Sequence, residues 1–346
     1  ASQMITAASQ LKVVPRIAFL SLCVFALLSA ATYFNFQSKS TESLERIIAE
    51  QHSLLIKDNE LIATELRETI SALQILLQRA EELGAPPAEA LRSAIFANHA
   101  AFQARWLSLD GQELMRFDRN GDEITEVSRQ KLQDKSDRDY FRSMRDLEVG
   151  QIYISEFNLN VEQGTIEVPF RPTVRIGMRA TRGYILANLN LAHLCALIRT
   201  PQYSLHETWL INRRGDWLIA PEQSMEWGFQ LGEPVRIWDT LSFPNLGQLI
   251  SGESRSSIAP GSGDILLASS LNLGPTSRSQ ARLEDDHPII LRLIPRSFVD
   301  EYIGQRHLIQ PAIAYLLALL LSFLIYVLLI QWRRRVVSDA STLVKS

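Results

Sequence analysis

Two uncharged apolar runs bracket residues 35–308 and constrain the chain more than any other feature. The first, Ile17 to Phe34 (IAFLSLCVFALLSAATYF), is about 18 residues long and just reaches the span of a bilayer core. Lys12 and Arg16 precede it, and Tyr33 and Phe34 stand where interfacial aromatics belong. The second, Ile309 to Trp332, runs for about 24 uncharged residues and is followed at once by Arg333, Arg334 and Arg335. Pro311 falls in its first turn, where a helix tolerates it. Positive residues on the outer flank of both runs predict two membrane helices, both chain ends in the cytoplasm, and residues 35–308 outside. A cleaved signal peptide is the rival for the first run, since Ser29-Ala30-Ala31 has the small residues of a cleavage site.

Composition refines this only where the average is taken apart. The 346 residues carry a net charge of −3 and 46% apolar residues, values of a soluble protein that conceal the two runs. No basic field points to nucleic acid. Cys23 lies inside the first run and Cys195 far outside it, so the two cannot pair and no disulfide scaffold is present. Cys195, on a predicted helix, reads as a buried inert thiol.

After the first run, Leu44, Ile48, Leu55, Ile62, Leu66, Ile70, Leu73, Leu77 and Ala80 recur at helical spacing, with charges between them. This predicts a long helix over residues 35–84, stopped by Gly84-Ala85-Pro86-Pro87. Its stripe fits a face packed on its own domain, a seam between two copies of the chain, or both at once. A short helix at Leu91–Asn98 and two strands, Ala104–Leu109 and Glu113–Phe117, follow. A further strand is predicted at Gly183–Leu189 and a helix at Leu191–Ile198, which makes residues 85–200 an α+β module on an antiparallel sheet. Residues 201–305 form a second module: strands at Trp209–Asn212, Trp217–Ile219, Ile265–Ser269 and Ile289–Ile294, and a helix over Trp238–Leu249 interrupted at Pro244. The stretches Ser251–Gly263 and Gly274–His287 read as mobile loops by composition.

Between the strands of the first module lies Arg138 to Arg175. A polar-aromatic helix (Arg138-Asp139-Tyr140-Phe141-Arg142) ends before Gly150, a strand follows at Ile152–Ile154, and a polar loop runs from Asn158 to Gly164 and on to Pro169, Pro172 and Arg175. Arginines, tyrosines and asparagines on one helix, one strand and one loop suit a pocket for a polar or anionic ligand. A guanidinium forks onto a carboxylate with two parallel hydrogen bonds, which makes Arg138 the first candidate. A salt bridge from Arg138 to Asp137 or Glu156 is the competing reading. Tyr140 and Tyr153 would line the pocket, with Phe141 in the core. Asn160, like Asn158, is a pocket residue or simply a turn residue. Arg171 and Arg175 flank Pro172 on an extended segment, and one of the two is expected to face inward.

Enzyme chemistry finds little purchase. No nucleophile elbow occurs, and no Gly-rich loop precedes Lys-Ser or Lys-Thr. The six histidines lack metal-ligand spacing. Neither a metal nor a cofactor is therefore expected. The tryptophans at 106, 209, 217, 227 and 238 read as module core.

The arrangement resembles the double Cache (tandem PAS-like) sensor regions of bacterial transmembrane histidine kinases and diguanylate cyclases. The residues that carry the resemblance are Leu132 to Lys135 with Arg138-Asp139-Tyr140-Phe141, then Tyr153-Ile154-Ser155, Leu159-Asn160, Glu162, Gly164, Ile166-Glu167, Pro169, Pro172 and Arg175. In the second module they are Leu210 to Asn212, Gly215 to Leu218 and Glu226 to Phe229. The short stretch Ile176–Arg182 departs from the pattern. The resemblance implies a periplasmic sensor in a bacterial inner membrane, with residues 85–200 distal and 201–305 proximal to the bilayer. It also implies an amino acid or organic acid ligand held by Arg138, Tyr140, Tyr153, Asn160, Arg171 and Arg175. A homodimer and a kinase or cyclase output, beyond Ser346 or on a partner, complete the expectation. A membrane-anchored binding protein without signalling output is the alternative.

Overall fold

The structure is a computed structural model that describes residues 13–82, 87–200, 206–271, 281–283, 287–307 and, with gaps, 313–335. It divides into one compact unit over Ile48–Arg296 and a second made of residues 1–47 and 297–346. The long helix α1 covers Val13–Glu82. Among the described residues no helix is long and apolar enough to cross a membrane. The side chains of residues 17–24 in the first apolar run, and several positions of the second, lie outside the described residues, as does the side chain of Cys23.

Within the larger unit, α1 buries Gln51, Leu55, Asp58, Asn59, Ile62, Ala63, Leu66 and Ile70, one face at helical spacing. The predicted stripe therefore packs on its own chain at Leu55, Ile62, Leu66 and Ile70.

Helix α2 (Pro87–Ala97) starts four residues earlier than predicted, with Pro87 at a first-turn position where its missing N–H costs nothing. Then come β1 (Ala101–Leu107), β2 (Glu113–Asn120), β3 (Glu123–Glu126), α3 (Asp139–Met144), β4 (Ile152–Ile154), β5 (Asn158–Leu159), β6 (Val161–Glu162), β7 (Thr165–Ile166), β8 (Pro172–Ala180), β9 (Gly183–Asn190) and α4 (Ala192–Arg199). The first sheet has the order β14-β4-β8-β9-β1-β2-β3, with β5 beside β8; β14 is Ala281–Leu283. The segment from Pro172 to Ala180 is thus a nine-residue central strand, not the end of a loop. Its pairing with β9 is unbroken from Thr173↔Asn190 to Ala180↔Gly183. Strand β14 adds to β4 in parallel, inside a stretch read from composition as a loop.

Helix α2 packs on β1 and β2, and α3 packs on β8. Beneath α3 lies an apolar cluster of Leu107, Phe141, Met144, Leu147, Tyr153, Tyr184 and Leu186. Gly177 makes this close approach possible, since a Cβ there would stand 2.1 Å from the Met144 sulfur.

The second sheet has the order β11-β10-β15-β13-β12, from β10 (Thr208–Ile211), β11 (Trp217–Ile219), β12 (Ser256–Ile258), β13 (Ile265–Ser270) and β15 (Ile289–Ile294). Strand β12 occupies part of the other stretch read as a loop. Helices α5 (Gly228–Leu231), α6 (Ile237–Thr240) and α7 (Leu246–Ser251) lie between β11 and β12, the last two separated at Pro244. Trp209 and Trp217 are in the core and Trp227 is buried, whereas Trp238 is 46% exposed. Helix α8 spans Arg296–His307.

Candidate functional site

Strand pairing shows why one face of the first sheet is apolar at one end and polar at the other. Residues directly opposite across a ladder share a face, and so do residues two apart along a strand. One row across the sheet reads Tyr153, Gly177, Leu186, Arg105 and Arg116. The next row towards the polar end reads Arg175, Asn188, Gln103 and Asp118. Helix α3 covers the apolar end. The polar end is left as the floor of a cavity of about 430 Å³, a size typical of small-molecule sites.

The walls come from the segment before α3, from α3 itself, from β5 with its flanking residues, and from α5. Gly111, at φ +95°, makes the β1–β2 turn, and its carbonyl accepts from the Lys135 N–H at 2.9 Å. The Glu113 N–H donates to the Gln133 carbonyl at 3.0 Å, which, with an isolated bridge between Gln112 and Asp134, holds the segment 133–135 beside the sheet. Arg138 is the extended residue just before α3, and its carbonyl accepts from the N–H groups of Phe141 and Arg142 at 3.0 Å each. Opposite, β5 and Asn160 form a wall that is held from the second sheet's side. The Gln230 Oε1 accepts from the Leu159 N–H at 2.6 Å, and Gln230 itself lines the cavity.

Four cations line this space: Arg105, Lys135, Arg138 and Arg175. Two of them are balanced from behind. The buried Glu113 carboxylate lies 2.9 Å from Arg105 Nε and 3.9 Å from Lys135 Nζ, with Glu162 3.9 Å from Arg105 Nη2. Arg116, 3.2 Å from both Asp118 and Glu162, completes that network. The other two have no carboxylate partner among the described residues. Arg175, 6% exposed, donates to Asn158 Oδ1 at 2.6 Å and lies 5.4 Å from the Tyr140 ring centre. Arg138 has no side-chain hydrogen bond among the described residues, and its alternative partner Glu156 is held by both terminal nitrogens of Arg214 at 2.8 and 2.9 Å.

Burial and like charge leave their mark on these groups. Lys135 is pushed down to about 8, by burial first and then by the Arg105 charge, against the pull of Glu113 and Glu162. Arg175 is pushed down to about 10, chiefly by burial. Burial also raises the Tyr140 phenol. Cys195, away from the cavity, is buried and pushed up to about 12, again chiefly by burial, as an inert thiol would be.

Of the six residues singled out from the sequence, the fold brings Arg138, Tyr140, Tyr153, Asn160 and Arg175 to this one cavity. Arg171 is not among its lining. It precedes β8, pairs with Glu167 at 2.8 Å and lies 4.4 Å over the Phe102 ring. Sequence reasoning misses Arg105, Asn188 and Gln230 and gives Lys135 no binding role. The signal for two of them is period-2 placement of polar residues in otherwise apolar strands: Gln103 and Arg105 in AFQARWL, Asn188 in GYILANLN. Gln230 comes from a distant element, which no local pattern reveals.

Comparison with known proteins agrees with this fold. No curated protein matches the chain. The extracellular domain of a protein assigned as the histidine kinase vpHK1S-Z8 is 17% identical, with a TM-score of 0.57, covering 75% of this chain and 95% of that one. A domain assigned to a sensory box/GGDEF protein from Vibrio parahaemolyticus is 16% identical, with a TM-score of 0.57 and coverage of 75% and 99%. The periplasmic sensory domain of the Campylobacter jejuni chemoreceptor Tlp1 is 12% identical, with a TM-score of 0.50 and coverage of 75% and 98%. At such identities the likeness concerns the fold. Residues 86–263, just over half the sequence, match the model of the bacterial histidine kinase sensor domain, and the chain belongs to that family.

Proposed function

We propose that this chain is an inner-membrane receptor whose periplasmic double Cache region binds a small polar or anionic molecule, of the amino acid or organic acid class. The single observation that carries the reading is the cavity beside the start of α3, into which Arg138 and Arg175 bring guanidinium groups with no carboxylate partner among the described residues. Charge-assisted contacts to such groups are among the strongest available to a small ligand in a wet site. Tyr140, Tyr153 and Asn160 are assigned to the same ligand. In this reading residues 85–200 are the membrane-distal module and 201–305 the proximal one. The apolar runs at 17–34 and 309–332 cross the bilayer, and their Lys/Arg flanks support that topology. Gln230 and the Arg214–Glu156 pair tie the cavity wall to the second sheet, a route by which ligand binding biases the second span towards a kinase or cyclase output. The chain acts as a homodimer, its seam on the outward side of α1 rather than on the buried stripe.

The test is thermal unfolding of the full chain in detergent against a panel of amino acids and organic acids. A ligand raises Tm with concentration. Arg138→Ala is expected to abolish the rise while leaving the unliganded Tm unchanged. A panel that leaves Tm unmoved throughout would overturn the sensor assignment.

A further inference from the structure

We infer that the ligand carries two carboxylates and no obligatory ammonium group: a short dicarboxylate rather than a zwitterionic amino acid. The inference rests on the sensor reading of the cavity and goes further, to the charge of what fills it.

The argument is a balance of charge around one space. Arg105 and Lys135 are neutralised from behind by Glu113 and Glu162. Arg138 and Arg175 are not matched by any carboxylate among the described residues, and Arg175 is all but fully buried. A buried guanidinium without a counter-ion is costly, and the depressed Arg175 value is a symptom of that cost. Two unmatched guanidiniums on one cavity call for two negative charges.

No carboxylate on the lining is open to a positive one: the unbonded acceptors there, Asn160 Oδ1 and Asn188 Oδ1, are neutral. Only two acids belong to it, and both are engaged away from the space. The Asp139 side chain is 93% exposed and bonds Arg142 at 2.7 Å. Glu156 gives both oxygens to Arg214. An ammonium group placed inside would therefore face a cationic wall without a carboxylate to receive it. A zwitterionic amino acid satisfies one arginine and brings a charge of the wrong sign. At about 430 Å³ the cavity has room for a dicarboxylate of several carbons.

Calorimetric titration of the full chain in detergent with malonate, succinate, glutarate and adipate tests the idea, with monomethyl succinate and L-alanine as controls. At least one diacid is expected to bind. Esterifying one end of succinate removes one charge-assisted contact and is expected to weaken binding about ten- to a hundredfold. Arg138→Gln changes a partly buried residue at the cavity's edge and is expected to lower diacid affinity to the level of the half-ester, while barely affecting the half-ester itself. Losses that multiply in the combination would overturn the pairing of one carboxylate with Arg138. Arg138-dependent binding of L-alanine or other zwitterionic amino acids, with none by any diacid, overturns the diacid inference but leaves the sensor reading standing. Silence of every compound in the wider panel removes both.

Discussion

Glu113 holds the charge balance beneath the cavity. Its side chain is fully buried, and its carboxylate is within 4 Å of Arg105, Arg116 and Lys135 while also accepting from the Gln133 N–H at 3.0 Å. Glu113→Gln keeps the shape and removes the charge, leaving three buried cations against Glu162 and Asp118. Breaking a buried ion pair from one side costs on the order of 3–5 kcal/mol. The expected result is a lower urea midpoint at unchanged slope. Arg142→Gln, which removes the exposed Asp139 pair, should move the midpoint little, since such pairs contribute about 0–1 kcal/mol. Lys135 gives the site a pH dependence. With its value near 8, the side chain is charged at pH 7 and largely neutral at pH 9. Anion affinity should therefore fall across that interval, and Lys135→Met should flatten the profile in titrations. Stability runs the other way. Above about pH 8 the unfolded chain still holds the proton that the folded one has released, so the unliganded fold gains stability towards the ordinary lysine range.

At the scale of elements, α1 and the second sheet meet through polar groups on an otherwise apolar face. Asn59 Nδ2 donates to Ser269 Oγ at 2.7 Å and to the Ser270 carbonyl at 2.8 Å. Asp58 accepts from Arg292, a fully buried residue of β15 that also donates to Thr208 Oγ1 at 3.2 Å. Asp58→Ala strands that guanidinium and is expected to cost about 3–5 kcal/mol. Asp58→Leu combined with Arg292→Met should recover most of it, and a double-mutant cycle in urea measures the coupling. This junction also marks the limit of what the sequence discloses. The helix is legible because Leu55, Ile62, Leu66 and Ile70 repeat at its period. Asp58 and Asn59 look like solvent-facing residues, because their partners lie more than 200 positions away. Strands β1 and β9 are legible as apolar runs. Strand β8 is not, since Pro172, Arg175, Gly177 and Arg179 break the apolar pattern. Three of those breaks are site or packing features: Arg175 on the cavity floor, Gly177 under Met144, and Arg179 over the Tyr184 ring. The cavity itself is half legible. Residues within one loop and helix announce it, whereas Arg105, Asn188 and Gln230 enter through tertiary pairing alone.

At the scale of the whole molecule, the receptor proposal needs residues 35–308 on one side of a bilayer and both ends on the other. The physical ground is the cost of moving lysine and arginine across an apolar core, which biases positively charged flanks to the cytoplasm. Lys12 and Arg16 stand before the first run, and Arg333 to Arg335 stand after the second. Alkaline phosphatase fused at Leu249, on α7, is expected to be active, because the enzyme matures only in an oxidising compartment. A fluorescent protein fused after Arg335 is expected to be bright in the same cells. An inactive phosphatase at Leu249 in a well-expressed fusion would put the cavity in the cytoplasm and end the periplasmic reading. The dimer is tested in the same membranes. Ser53, Ile56 and Glu60 are exposed at spacings of three and four on α1, the side opposite the buried stripe. Single cysteines there should crosslink between chains under mild oxidation, while Leu55→Cys and Ile62→Cys, turned into the chain's own core, should not. Crosslinks at the buried pair alone would mean that α1 exchanges its own domain for a partner's. With no crosslink anywhere along α1, the seam would have to leave this helix, and the path from cavity to second span would run within a single chain.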